Sequence, residues 1–367
     1  MTRKCVGVIG SGQLGRMMAL AGIPLDVDFV FYDEATESPS ARLGQTIQPS
    51  TRGSLDKFLS LVDVVTYESE NTDADLVAKI NTIKPVYPGE TSLRKSQHRL
   101  VEKTAFRKLG IQTADFLKVS TREELELACK ELGLPIVLKT TTMGYDGKGQ
   151  AVVKTSSDIQ PAWDSLKGNE LIAEAFVTFS RELSVIAVRD TKGNTKVYPL
   201  AENDHSEGIL RVSRAPVTGL SAEKQLEAET FITTLLNELD HVGVLTLELF
   251  DTDKGLIANE MAPRVHNSGH WTIEGTASSQ FENHVRAICG MPLGDTKPRQ
   301  KCAAMINIIG KHGDRASVLN MKNAFLHTYS KTERLNRKIG HINLIADSDK
   351  EIDSSIKALS AFIGECG

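Results

Sequence analysis

At 367 residues, 40% hydrophobic and 25% charged with a net charge of −4, the chain buries ample core in two or three domains and is neither fibrous nor disordered. No basic run stands out and no apolar run approaches membrane length, so neither a nucleic acid nor a membrane is an expected partner. Five scattered cysteines without Cys-x-x-Cys spacing, behind a start that runs straight into a strand with no signal peptide, point to reduced thiols in a cytoplasm and exclude a disulfide framework or a zinc site.

In chain order, Cys5–Ile9 reads as a buried strand, Gln13–Ala21 as a helix, Asp28–Tyr32 as a strand, Ser54–Leu61 as a helix and Asp63–Thr66 as a strand. A helix over Thr72–Ile83, capped by Thr72 or Asn71, stops at Lys84-Pro85. Strands separated by single helices predict a parallel sheet wound right-handedly, ending near Pro88-Gly89. A helix over Ser92–Leu109, a connection over Ile111–Ser120, a helix over Thr121–Leu132 and a strand over Pro135–Lys139 follow. The centre is richer in strands: Gln150–Lys154, Glu170–Phe176, Glu182–Arg189, Thr195–Leu200 and a hairpin at 243–260, with the helix Ala222–Leu239 among them. After Pro292 or Pro298 comes a smaller region with strands near Ala303–Ile309 and Lys338–Ile345 and a closing helix, Asp349–Phe362. The class is α/β, with an α+β centre.

Three stretches carry chemistry. Gly10-Ser-Gly-Gln-Leu-Gly15 follows the first strand and opens a helix, where backbone N–H groups approach a phosphate. Asp33-Glu34, about twenty residues on, stands where a nicotinamide-dinucleotide enzyme binds ribose, so an NAD-dependent dehydrogenase is an alternative from a different class. In Pro135-Ile-Val-Leu-Lys-Thr-Thr-Thr-Met-Gly-Tyr-Asp-Gly-Lys-Gly149, Lys139 closes a strand and a glycine loop follows, as a cover over a triphosphate requires. It is not a Walker loop. Leu245-Thr-Leu-Glu-Leu-Phe250 and Ile257-Ala-Asn-Glu260 flank a turn at Asp251–Gly255. With the turn centred near Lys254, Glu248 and Glu260 are cross-strand neighbours about 5 Å apart, a pair of hard ligands suited to Mg²⁺ shared with substrate phosphates. Arg264, His266, Asn267, Ser268 and His270 follow as a cluster of anion donors that core packing does not need.

In that order these motifs resemble the ATP-grasp ligases, and within them the branch of 5-(carboxyamino)imidazole ribonucleotide synthases. The residues carrying the match are Gly10–Met17, Gly144-Tyr-Asp-Gly-Lys-Gly149, Gly208-Ile-Leu-Arg211, Asn259-Glu-Met-Ala-Pro-Arg-Val-His-Asn-Ser-Gly-His-Trp-Thr272 and Arg337-Lys-Ile-Gly-His-Ile-Asn343. Thr142-Met143 stands where a further glycine is expected, and Ala262 where the wider superfamily has Asn.

The resemblance implies an ATP-grasp fold with a parallel-sheet pre-ATP-grasp domain over 1–91, an ATP-grasp domain over 92–295 with a lid at roughly 115–180, and a small C-terminal domain over 296–367. It implies carboxylation of 5-aminoimidazole ribonucleotide with ATP and bicarbonate, with Mg²⁺ (or Mn²⁺) on Glu248 and Glu260, no biotin, and a homodimer. For ATP it implies Lys103, Lys139, Tyr145, Gly147, Lys148, the segment Glu174, Ala175, Phe176 and Val177 against adenine, Glu182 on the ribose, and His205 and Asn259. For the ribonucleotide it implies Gly12, Gln13 and Leu14 on the 5′-phosphate, helped by Lys331 and Arg337, with Glu70, Tyr145, Asp146, Lys148 and Ser268 around the rest. Asp146, Lys331, Arg264, His266 and Asn267 are the implied catalytic groups. The nearest alternative within the superfamily is a formate-dependent glycinamide ribonucleotide transformylase.

Overall fold

A computed structural model describes residues 3–144 and 149–363. Near the N-terminus, β1 (Lys4–Ile9), β2 (Val27–Tyr32), β3 (Gln45–Ile47) and β4 (Val64–Tyr67) form a parallel sheet in the order β3-β2-β1-β4. Its strands are buried on both faces, as parallel strands must be. Val6, Val8, Phe29 and Phe31 pack with Met17 and Met18 of the helix Gln13–Gly22. Val30, Tyr32, Val65 and Tyr67 pack with Phe58 of the helix Ser54–Leu61 and with Val77 and Ile80 of the helix Ala74–Asn81. That last helix starts later than expected. Its cap is Asp73, whose carboxylate accepts from the N–H groups of Asp75 and Leu76, so neither Thr72 nor Asn71 caps it.

The single helix expected over Ser92–Leu109 is two, Glu90–Ser96 and Arg99–Lys108. The break has a cause: the Gln97 amide donates to the carbonyls of Glu70 (2.8 Å) and Thr72 (2.7 Å), tying the turn to the N-terminal sheet. The expected connection over 111–120 contains a strand. β5 (Phe116–Val119), β6 (Ile136–Thr140), β7 (Gln150–Val153) and β8 (Leu171–Ala175) form an antiparallel sheet, β5-β8-β6-β7, covered by the helices Arg122–Leu132 and Ile159–Leu166.

Among the described residues the largest sheet has nine strands: β9 (Arg181–Arg189), β10 (Thr195–Val197), β11 (Ala201–Ser206), β12 (Ile209–Ala215), β13 (Gly243–Thr252), β14 (Gly255–Ala262), β15 (Cys302–Ile309), β16 (Ala324–Thr328) and β17 (Lys338–Ala346). Its order is β14-β13-β9-β11-β12-β15-β17-β16, with β10 beside β9. The hairpin β11/β12 escapes a reading by hydrophobic alternation, because polar cross-strand bonds hold it: Ser213 to Asn203 (2.7 Å) and Arg214 to Asp204 (2.9 Å). The C-terminal strands β15, β17 and β16 do not form a separate sheet; they extend the central one beyond β12. The closing helix is two pieces, Asp349–Ala358 and Ser360–Ile363. Among the described residues no helix is long and apolar enough to cross a membrane.

Candidate active site

The carboxylate pair is set by an irregularity in β14. The turn at Asp253-Lys254 pairs Thr252 with Gly255 and Leu249 with Ala258, a register that would place Asn259 opposite Glu248 and turn Glu260 to the other face. Between Leu249 and Leu247 the register shifts by one, so Leu247 pairs with Met261 and Glu248 faces both Asn259 and Glu260. This β-bulge, not the regular pairing expected, brings both carboxylates to one cavity. Burial and the nearby charge of Glu260 push Glu248 up to about 7. Glu260 is met by Arg99 (2.7 Å) and Glu248 by His266 Nε2 (3.5 Å).

Two neighbouring carboxylates, one of them shared with Arg99, fit a hard divalent cation whose remaining ligands are phosphate and water oxygens. Among the described residues no group of three or more His, Cys, Asp or Glu side chains converges as a self-sufficient metal cage. A two-carboxylate site completed by a nucleotide needs no such cage.

On the adjoining wall, Lys139 from β6 donates to Glu174 Oε2 of β8 (2.9 Å), and Lys103 of the helix Arg99–Lys108 lies 3.3 Å from the same oxygen. Burial alone would raise the Glu174 carboxyl, but the charges of Lys139 and Lys103 override it and hold it at about 2. Glu174 Oε1 is buried with no partner among the described residues. Lys139, Glu174, Ala175, Phe176, Val177, Glu182, His205 and Asn259 all line the cavity. Lys103 does not line it: only 2% of its side chain is exposed, and its Nζ donates to the Asn259 carbonyl (3.1 Å). His205 Nδ1 lies 3.1 Å from Glu182; burial lowers its pKa, but the Glu182 hydrogen bond reverses this and leaves it raised. Met143 holds the left-handed conformation (φ 61°) where a glycine was expected. Tyr145, Asp146, Gly147 and Lys148 lie outside the described residues.

Opposite stands the N-terminal glycine loop, which the structure corrects. Two of its amides are not open to a phosphate: Gly12 N–H and Gly15 N–H (2.7 Å) both donate to the carboxylate of Glu68 at the end of β4. Burial raises the Glu68 pKa. Asp33 accepts from Ser11 Oγ (2.7 Å). A dinucleotide pyrophosphate therefore finds those two amides taken, against the dehydrogenase reading. Gln13 and Leu14 line the cavity; Gly12 does not. Lys331 reaches over from the segment after β16, donates to Gln13 Oε1 (2.5 Å) and stands 6.0 Å from the Tyr329 ring. Burial and the charge of Arg337 lower Lys331 to about 8. Arg337 is bound by its own loop, donating to the Thr332 hydroxyl (2.8 Å) and carbonyl (3.2 Å).

In the loop after β14, Arg264 pairs with Glu70 (2.5 Å). Burial would raise Glu70, yet the Arg264 charge and hydrogen bond take it down to about 2. Burial, then the Arg264 charge, lowers His266 to about 3, so it is neutral, and its Nδ1 bonds Ser268 Oγ (2.8 Å). Arg264, His266, Asn267 and His270 line the cavity, and Asn267 Nδ2 is buried without a partner among the described residues. Ser268 is fully buried behind them.

Sequence reasoning misses Arg99, Glu102, Glu68 and Tyr329. Arg99, Glu102 and Lys103 share one helix face by their spacing, a signal that was available. Glu68 lies at the carboxyl end of a parallel strand, where such sheets place their sites.

Three family profiles match consecutive stretches: the ribonucleotide synthetase preATP-grasp domain over residues 3–97, the ATP-grasp domain over 104–281 and the phosphoribosylaminoimidazole carboxylase C-terminal domain over 303–355. The N5-carboxyaminoimidazole ribonucleotide synthase of Pseudomonas aeruginosa is 44% identical over 360 residues, covering 98% of this chain and 99% of its own length. The chain belongs to that family. Among solved members, the Thermus thermophilus enzyme superposes with a TM-score of 0.93 at 44% identity, covering 98% of this chain and 99% of its own. The Aspergillus clavatus enzyme, crystallised with ADP and 5-aminoimidazole ribonucleotide, superposes at 0.90 with 31% identity and 98% coverage of each chain. N5-carboxyaminoimidazole ribonucleotide synthases are ATP-grasp ligases, and ATP-grasp enzymes use ATP with a divalent metal.

Proposed function

We infer that the chain carboxylates the 5-amino group of 5-aminoimidazole ribonucleotide, using ATP and bicarbonate and giving 5-(carboxyamino)imidazole ribonucleotide, ADP and phosphate in de novo purine biosynthesis. One observation carries most weight. A single cavity gathers the Glu248/Glu260 pair, Lys139 with Glu174, the Arg264–His270 donors and, on the facing wall, Gln13 and Glu70. That is a nucleotide side, an anion centre and a second-substrate side in contact.

In the first step a bicarbonate oxygen attacks the γ-phosphorus and ADP leaves, forming carboxyphosphate. The substrate amine then bonds to the carboxyl carbon, either of carboxyphosphate or of CO₂ released from it, as phosphate departs and the nitrogen loses a proton. Carboxyphosphate is labile and must be kept from water among donors. Arg264, neutral His266 and the unpartnered Asn267 amide supply them. Glu248 and Glu260 would hold Mg²⁺ or Mn²⁺, which neutralises phosphate charge when bound. Lys139 exchanges Glu174 for nucleotide phosphates, Lys103 adds its positive charge from behind the wall, Ala175–Val177 face adenine, and Glu182 meets the ribose. Gln13, Leu14, Glu70 and Ser268 serve the ribonucleotide side with Lys331 and Arg337. Gly12 serves there by shaping the loop that carries Gln13, its own N–H being held by Glu68. Asp146 takes the amine proton, Tyr145 and Lys148 serve both ATP and the ribonucleotide, and Gly147 serves ATP. His205 and Asn259 complete the ATP side. No biotin is used.

The same reading divides the chain at 1–91, 92–295 and 296–367, with a lid near 115–180, and carries a homodimer and a cytoplasmic location from the family. The deciding experiment is phosphate release with ATP, Mg²⁺ and bicarbonate, with and without the aminoimidazole ribonucleotide. Release that ignores bicarbonate, or that responds to formate with glycinamide ribonucleotide instead, overturns the reading.

A further inference from the structure

The bulge that brings Glu260 beside Glu248 lies in an edge strand, and the outward amides of that strand record it. Leu256 N–H donates outward to Glu227 (3.2 Å) and Ala258 N–H to the Gln112 carbonyl (2.8 Å). Along a regular strand the next outward amide would be that of Glu260. Instead it is Met261 N–H, and its acceptor is Glu102 Oε1 at 2.7 Å. Glu102 is 1% exposed, a burial that a carboxyl group tolerates only with a hydrogen-bonded role.

Its neighbours on the helix Arg99–Lys108 hold the other two residues of the irregularity: Lys103 takes the Asn259 carbonyl (3.1 Å) and Arg99 the Glu260 carboxylate (2.7 Å). In a strand without the bulge, Glu260 would stand opposite Leu247 in the place of Met261, with its own N–H before Glu102, and the Asn259 carbonyl would turn towards β13, away from Lys103. Glu260 would then leave the Glu248 face. Taking Glu248 and Glu260 as the divalent-ion ligands proposed above, we propose that Glu102 is a positioning residue: by fixing Met261 opposite Leu247, with Lys103 on Asn259 and Arg99 on Glu260, it holds the bulge of β14 and so sets the spacing of the two ligands.

The test is Mn²⁺ binding to the whole protein in the presence of ADP, read by electron paramagnetic resonance of free Mn²⁺, with amide exchange of the 256–264 segment alongside. Glu102→Met keeps the volume and removes the acceptor. Glu102→Asp keeps the carboxyl group and withdraws it by one methylene. Both should weaken Mn²⁺ by about tenfold or more, the usual effect of losing a group that orients a metal ligand, and both should speed exchange at Met261. Glu102→Gln retains an oxygen acceptor and should bind Mn²⁺ within about twofold of the parent, well inside the penalty for losing an orienting group. Parental affinity and exchange in a folded Glu102→Met protein overturns the assignment, as does a Gln variant as weak as the Met variant. If the Met variant does not fold, Glu102→Asp decides by the same criteria. Glu260→Gln separates the two levels. Should it bind Mn²⁺ as the parent does, the metal reading itself fails; should it lose Mn²⁺ while Glu102→Met does not, only the role of Glu102 fails.

Discussion

Arg264 and Glu70 meet at 2.5 Å, joining the loop after β14 to the end of the N-terminal sheet. The arginine expected to stand free for an anion is therefore already paired, and the glutamate expected beside the imidazole is its partner. Both residues line the cavity.

Glu70→Gln should disturb both roles. Bicarbonate-dependent phosphate release should fall by about 10²-fold, comparable to losing one oriented donor at a charge-developing centre. Stability in urea should fall by up to about 3 kcal/mol, because the mutation leaves a mostly buried guanidinium unpaired. In the parent, Glu70 titrates at about 2 when folded against 4.5 as its ordinary value. Its contribution is thus present above pH 4.5 and fades as pH falls towards 2. A Gln variant with parental turnover and parental urea midpoint would remove Glu70 from the site.

Glu248→Gln and Glu260→Gln should each lower MgATP turnover by about 10²-fold or more while far-ultraviolet circular dichroism stays unchanged. The two losses should not add when combined, since both act on one ion. Steady-state phosphate release across a Mg²⁺ titration checks this, and near-parental activity in either variant rules out the carboxylate pair as the metal site.

Gly12→Val should raise the Michaelis constant for the ribonucleotide far more than that for ATP. A Cβ at Gly12 would come within 2.6 Å of Glu68 Oε1, so the contact between the carboxylate and the loop must give, and the neighbouring Gln13 is expected to shift with it. Lys331, held by Gln13, would then lose its place. Initial rates with each substrate varied in turn make the comparison, and an effect confined to ATP would contradict the placement of this loop on the ribonucleotide side.

Acid should loosen the seam between the N-terminal and central sheets. His284 bonds Thr66 (2.9 Å) and the Val244 amide (3.1 Å); His241 bonds Ser92 (3.0 Å) and the Val244 carbonyl (3.0 Å). Burial lowers His241 to about 4 and His284 to about 3. The unfolded chain therefore takes up these protons first, near pH 6.5, and stability falls as pH drops from there until the folded pKa values are reached. At pH 5 the loss should be on the order of 2 kcal/mol per histidine relative to pH 7.5. Urea midpoints across that range measure it. In a His284→Asn variant the slope with pH should flatten; an unchanged slope would exclude His284 as its source.

Periodicity and turn chemistry were enough to read the N-terminal parallel sheet, the glycine loop after β1, the hairpin at 243–260 and the polar run from Arg264 to His270. These features are local, because a helix or strand face repeats along the chain and a turn needs particular residues at particular places. Pairings between distant segments were not legible. Nothing local says that Glu68 fills the loop at Gly12, that Glu70 neutralises Arg264, or that strands after residue 300 extend the central sheet. The bulge shows the limit most clearly. The turn forms at Asp253-Lys254, half a residue from the centre expected, and its register alone would point Glu260 away from Glu248. The bulge that restores the pair is anchored by Glu102, which lies 159 positions from Met261 and reaches it only in the folded chain. Strand register follows from side-chain period, but which residue is allowed to break it depends on what waits beyond the edge of the sheet.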